Sequence, residues 1–188
     1  MAKYNVAHST YNKFRDAVNG KWYDLDGYYG AQCWDGVQLL YTQNDIGQNF
    51  VLGNGRAKGA WQNTWCRDIN GSGHFRKIDN KRLLKKGDII VFNTYAGWYG
   101  TTGHVGYADE DYNGTDTIRI LSQNFGTGSN PTTGKAFNIM NAYLGDAFLG
   151  AFRYDKWEEP APPTPPTPTT KRIGKNVPWP VAWEHWGW

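Results

Sequence analysis

The chain has 188 residues, room for one domain with a real core and a short appendage but hardly for two full domains. Its 20 Lys and Arg are scattered among 17 Asp and Glu, and a net charge of +3 without a dense basic stripe argues against nucleic acid as the partner while leaving a mild attraction to anionic polymers. No run of about 18 apolar residues is present to insert into a membrane, and the opening residues lack the apolar stretch of a secretory signal, so synthesis in the cytoplasm without a signal peptide is expected.

The aromatic content, 10 Trp and 12 Tyr, together with 23 Gly describes a loop-rich, partly β fold and not a helical bundle. Ser9 or Thr10 can cap a short helix whose Tyr11, Phe14 and Val18 recur at helical spacing, and Gly20 stands where a glycine ends it. An acidic loop follows. A second helix is predicted to begin near Ala31 or Gln32, to carry Val37, Leu40 and Tyr41 on one face, and to end before Asn44. From Gly47 to about Asn80 the pattern is weak and rich in glycine, which predicts irregular structure with short helical pieces between Ala57 and Trp65. Lys85 to Phe92 reads as a turn feeding a buried strand, because its apolar run is short and β-branched. His104 to Ala108 and Thr117 to Asn124 follow as strands, the second after an Asn113-Gly114 hairpin signal, and Phe148 to Tyr154 is the last. By alternation Ile118, Ile120, Ser122 and Asn124 share one face. At Glu158 the composition breaks. The folded domain is expected to occupy residues 1–157, a Pro- and Thr-rich linker residues 158–170, and an aromatic-rich tail, the start of a lost or incomplete binding module, residues 171–188.

Two stretches can carry chemistry. Counted from Asp24 as position 1, carboxylates fall at positions 1, 3 and 12 (Asp24, Asp26, Asp35), and positions 5 and 7 are Tyr28 and Gly30, whose backbone carbonyls can complete an oxygen cage. Carboxylates this close repel unless a hard cation or solvent screens them, although Asp-Gly turns also form for backbone reasons alone. Cys33 falls in the first turn of the predicted second helix, where unpaired amides and the positive end of the dipole favour a thiolate. His104 opens a strand about 70 residues later, and hydroxyl and amide side chains follow 18 to 20 positions on, the order of a nucleophile, a base and a polar orienter. The other candidates are weaker. Cys66, beside Trp65 and Arg67, reads as a packed thiol, and in a reducing cytosol the two cysteines are expected to be free. His8, His74 and His185 read as exposed, without zinc spacing, and Trp61, Trp65, Trp98 and Tyr99 as loop aromatics that either fill the core or stack on glycan or peptide.

The stretch Asp24 to Asp35 with its Gly-Tyr-Tyr-Gly-Ala-Gln-Cys, the Lys-Lys-Gly-Asp-Ile-Ile-Val-Phe strand, Gly103-His104-Val105-Gly106 and Ser122-Gln123-Asn124 resemble, in that order, the CHAP family of cysteine- and histidine-dependent amidohydrolases and peptidases common in bacteriophage endolysins. The resemblance covers roughly Tyr11 to Trp157. It implies a papain-like α+β fold, with N-terminal helices packed on an antiparallel β-sheet, and a peptidoglycan hydrolase acting on the bacterial cell wall by cutting an amide bond of its stem or cross-bridge peptide. The residues that match the family imply Cys33 as nucleophile and His104 as general base. Ser122 stands where phage relatives carry a glutamate, so the resemblance leaves Asn124 as the orienter of His104 with Ser122 as a secondary contact. Gln32 is implied as a group that polarises the scissile carbonyl, beside the backbone amide of Cys33 as oxyanion donor. In calcium-dependent members the matching loop binds one Ca2+, which implies Asp24, Asp26 and Asp35 as carboxylate ligands, Tyr28 and Gly30 as carbonyl ligands, and a structural role for the ion. Two other classes compete: a non-catalytic module that grips wall glycan through its aromatic loops, and a cysteine peptidase acting on proteins. Amidase and endopeptidase cleavage need the same catalytic groups, so the residues leave the bond open.

Overall fold

The computed structural model of the chain describes residues 6–43, 56–62 and 75–157. Helix α1 (Tyr11–Val18) is capped by Thr10, whose hydroxyl accepts from the Lys13 amide at 3.2 Å, and it buries Tyr11, Phe14 and Val18 as the spacing predicts. Helix α2 (Cys33–Gln43) begins at Cys33 and buries Val37 and Leu40. A single turn, α3 (Gly59–Gln62), follows. Strands β1 (Phe75–Ile78), β2 (Ile89–Phe92), β3 (His104–Ala108), β4 (Thr117–Ser122), β5 (Asn138–Tyr143) and β6 (Phe148–Tyr154) form one antiparallel sheet in the order β1-β6-β2-β3-β4-β5. The architecture is α+β, as expected. Among the described residues no helix is long and apolar enough to cross a membrane.

The apolar run of β2 has a simple cause. Ile89 and Val91 belong to the core that α1 and α2 build with Phe14, Val37 and Leu40, whereas Ile90 and Phe92 belong to a second core on the opposite face with Leu84, Ile118 and Ile120. A strand covered on both faces has no polar side to show. The Lys-Lys-Gly-Asp turn is fixed by Asp88, which is buried. Its carboxylate accepts from the Lys85 amide at 2.8 Å and from Arg153 Nε and Nη2 at 2.8 and 2.9 Å, tying the turn to β6.

The differences from expectation are instructive. Strands β1 and β5 were not predicted, and they are the two edges of the sheet, half-exposed and without clean alternation. Strand β4 stops at Ser122, two residues short of expectation, because Asn124 has a left-handed φ of 50° that no strand continues. The weak stretch before Asn80 holds α3 and β1. Cys66, Trp65, His74, the linker 158–170 and the tail 171–188 with His185 lie outside the described residues. Antiparallel pairing brings the start of β3 and the end of β4 to one end of the sheet, and the head of α2 packs there.

Candidate active site

His104 opens β3 inside an aromatic box. Its ring stacks on Tyr99 (centroids 5.9 Å, interplanar 14°) and tilts against Phe125 (4.7 Å) and Phe92 (6.4 Å). Burial in this box lowers the imidazole from its ordinary 6.5 to about 3. Among the described residues one polar group reaches the ring: Ser122 Oγ, buried behind it, lies 2.8 Å from His104 Nε2. The same hydroxyl lies 2.8 Å from the Val105 carbonyl and 3.2 Å from that of Gln123. Carbonyls only accept, so they draw the single hydroxyl proton and favour Oγ as acceptor from the ring. This assigns the proton to Nε2 and the lone pair to Nδ1, which makes no hydrogen bond among the described residues.

Cys33, free among the described residues and partly exposed, lines the same groove as His104, a cavity of about 580 Å3. The expectation of a thiolate at the helix head is reversed. Burial pushes the thiol up to about 11, outweighing the backbone donors of Val105 and Trp34 that favour the charged form. Val105 follows His104 in β3, and α2, which Cys33 heads, packs on that strand.

The groups expected to assist are arranged differently. Asn124 does not bond His104. Its Nδ2 donates to Gln32 Oε1 (2.6 Å) and to the Asn130 carbonyl (2.9 Å), and its Oδ1 accepts from the Asn130 amide (2.7 Å). The cause is the early end of β4, since the left-handed backbone at Asn124 carries the side chain off the face that Ser122 shares with Ile120. Gln32 does not offer its amide to the groove as expected, because Nε2 donates to the carbonyls of Tyr29 and Asn130. A residue to which sequence reasoning assigned no role is Gln123, fully buried. Its Oε1 accepts from the Tyr23 amide (2.7 Å), and its Nε2 donates to the carbonyls of Tyr23 (3.1 Å) and Gln32 (2.8 Å), pinning the entry of α2 to the end of β4. The signal was its place opposite Ser122 in the alternation, which aims a polar side chain at the core under α2. Of the loop aromatics, Tyr99 backs His104 and Trp61 packs on Phe152 at 5.3 Å, while Trp98 is exposed at the groove.

The acidic loop converges. One carboxylate oxygen from each of Asp24, Asp26 and Asp35 lies within 4.8 Å of the others. Asp35 is buried, and burial, followed by the charges of Asp26 and Asp24, raises it to about 6 against the pull of two backbone donors. Those donors are the Leu25 amide on Oδ1 (3.0 Å) and the Gln32 amide on Oδ2 (2.9 Å), so Asp35 closes the loop onto the head of α2. Asp24 and Asp26 accept from the amides of Gly27 and Tyr28, each at 2.8 Å. Three converging carboxylates, one of them buried, form an oxygen-only donor set that suits a hard cation. Tyr28 is exposed. Gly30 is required for another reason: with φ at 65°, a Cβ there would collide with the Thr133 carbonyl.

The D-alanyl-L-alanine endopeptidase of Streptococcus phage B30 is 29% identical over 145 residues, which are 77% of this chain and 30% of that protein. The crystal structure of a wild-type endolysin, LysIME-EF1, aligns with a TM-score of 0.59 at 21% identity, covering 78% of this chain and 64% of that one, a likeness of fold. The chain thus spans less than two thirds of either relative. A family model described as the CHAP domain matches residues 22–124, from just before the acidic loop through Asn124. With that model running over more than half of its length, including Cys33 and His104, the chain belongs to the CHAP-domain family.

Proposed function

We propose that the domain hydrolyses an amide bond in the stem or cross-bridge peptide of peptidoglycan, with Cys33 as nucleophile and His104 as base. The observation that carries this reading is the 2.8 Å contact of Ser122 Oγ with His104 Nε2, which leaves Nδ1 without a hydrogen bond among the described residues, in the groove that Cys33 lines. Both groups rest neutral, so proton transfer accompanies attack: Nδ1 takes the thiol proton as Sγ adds to the carbonyl carbon. The Cys33 amide, first in α2 and without a carbonyl one turn back, is the donor available to the oxyanion. An imidazole held this far below its ordinary pKa parts readily with its new proton, which goes to the departing amine as the C–N bond breaks. Water, activated by the same Nδ1, then cleaves the thioester and restores the thiol.

The family and the phage endolysin and endopeptidase relatives support peptidoglycan as partner and the cell wall as the place of action. The relative's name favours an endopeptidase over an amidase. The fit of the carboxylates supports one Ca2+ held by Asp24, Asp26 and Asp35, with carbonyls of Tyr28 and Gly30 as further ligands; the ion would neutralise the loop that enters α2. For Cys33→Ala, clearing of a suspension of purified sacculi should stop while the melting temperature stays within a few degrees; retained clearing would overturn Cys33 as the nucleophile, and a wild-type protein that binds sacculi without clearing them would leave a wall-binding module in its place. Mass analysis of the fragments released from defined walls identifies the bond.

A further inference from the structure

The geometry points to a second role for the amides beside the nucleophile: Asn124, Gln32 and Asn130 form a clamp that holds residues 125–131 as one wall of the groove and so set substrate binding, not the chemistry. This rests on reading the groove as the hydrolytic site. Phe125, Gly126, Thr127, Ser129, Asn130 and Pro131 all line it, as do Gln32 and Cys33. The segment has no strand pairing of its own. Backbone bonds turn it, from the Ser129 amide to Gly126 O and from the Gly134 amide to Asn130 O, each at 3.0 Å, and side-chain amides tie it to the site: Asn124 holds Asn130 through both its oxygen and its nitrogen, and Gln32, 92 positions earlier in the chain, accepts from the same Asn124 nitrogen. Asn130 then turns the chain, its Oδ1 accepting from the amides of Thr132 (2.7 Å) and Thr133 (3.0 Å). Lys135 Nζ closes the near end on the carbonyls of Phe125 (3.2 Å) and Thr127 (2.6 Å).

The far end of the wall is stitched to the entry of α2. The Ala31 amide donates to Thr133 O and the Lys135 amide to Ala31 O, each at 3.2 Å. Two facing glycines permit the approach, since a Cβ on Gly30 would strike the Thr133 carbonyl and one on Gly134 that of Ala31. The wall is therefore referenced to the nucleophile's helix through Gln32 and Ala31. The bond that orients His104 comes instead from Ser122, within the sheet. Loosening the clamp changes the shape of the groove and leaves the base in place, which makes Asn124 a positioning residue for substrate.

Two substitutions separate this from a role on the imidazole. Asn124→Gly keeps the left-handed backbone and removes the amide; Asn124→Asp keeps the shape but sets an oxygen against the oxygens of Gln32 and Asn130. Each should raise KM on soluble muropeptides roughly tenfold, the effect of one or two ordinary hydrogen bonds, with kcat changed less than about threefold. The acid limb of kcat/KM should not move. Hydrogen exchange at the Asn130 amide, slow in the wild-type protein, should become fast in Asn124→Gly. A fall in kcat at constant KM, a displaced acid limb, or unchanged exchange at Asn130 each overturns the clamp. Lysis by Cys33→Ala overturns Cys33 as nucleophile, and with it the reading of the groove as the hydrolytic site, but not the clamp, which is then decided by Asn130 exchange and by a roughly tenfold loss of affinity for sacculi in sedimentation.

Discussion

At His104 the partner of the ring is a neutral hydroxyl, and this decides what the ring can do. A carboxylate would favour the imidazolium; Ser122 Oγ orients the ring without a charge to stabilise it, and Tyr99 and Phe125 keep water away. Loss of the orienting bond in Ser122→Ala should lower kcat/KM roughly tenfold, measured on the same muropeptides at saturating Ca2+. The acid limb of kcat/KM in the wild-type enzyme should lie well below pH 6.5, toward the value of about 3 set by burial. The same shift acts on stability. Folding depresses the histidine, so between pH 6.5 and about 3 the unfolded chain binds the proton first. The stability that neutral His104 contributes is complete above pH 6.5 and is lost as pH falls toward 3. Urea melts of His104→Phe, which fills the aromatic box without titrating, should lose that slope. Cys33, raised to about 11, should react slowly with iodoacetamide at neutral pH and faster as pH climbs past 9.

At the level of elements, the loop from Asp24 to Asp35 braces the head of α2, and its charge state decides how firmly. Without a cation the folded state prefers Asp35 protonated, at about 6 against an ordinary 3.8. Stability therefore falls as pH rises from 3.8 to 6, and the penalty is complete above 6. A bound cation reverses the preference, because it takes the ionised form. The gap in unfolding free energy between Ca2+-loaded and chelator-treated protein, read from urea melts, should widen from pH 4 to pH 6 and then level off, reaching about 2.7 kcal/mol at a hundred times the dissociation constant. Asp24→Asn keeps the oxygen that the Gly27 amide needs and should remove the gap; an unchanged melting curve with and without Ca2+ in the wild-type protein would dispose of the ion. Element by element, α1, the start of α2, β2, β3 and β6 were legible because cap residues and buried periodicity are local signals. Strands β1 and β5 were not, since an edge strand pairs on one side and its half-exposed residues need not alternate.

Over the whole molecule, stability rests on two cores sharing one sheet, and the buried Asp88–Arg153 pair sits where β2 and β6 meet. Asp88→Ala removes the anion while leaving Arg153 partly buried and the Lys85 amide without its acceptor, and should cost about 3 kcal/mol in chemical denaturation with kcat/KM of the folded fraction unchanged. The Asp of the Lys-Lys-Gly-Asp motif is thus structural, although it stands in the same set of motifs as Cys33 and His104. The sequence by itself determined the fold class, the central strands, the helix that Cys33 heads and the nomination of Cys33, His104, Ser122 and the acidic loop, because periodicity, capping and motif order are all written along the chain. Only the tertiary structure decided that Ser122 and not Asn124 holds the imidazole, that Asn124 grips Gln32 and Asn130, and that the thiol rests protonated. Those outcomes depend on burial and on partners as much as 92 positions apart, through-space quantities that no local pattern encodes.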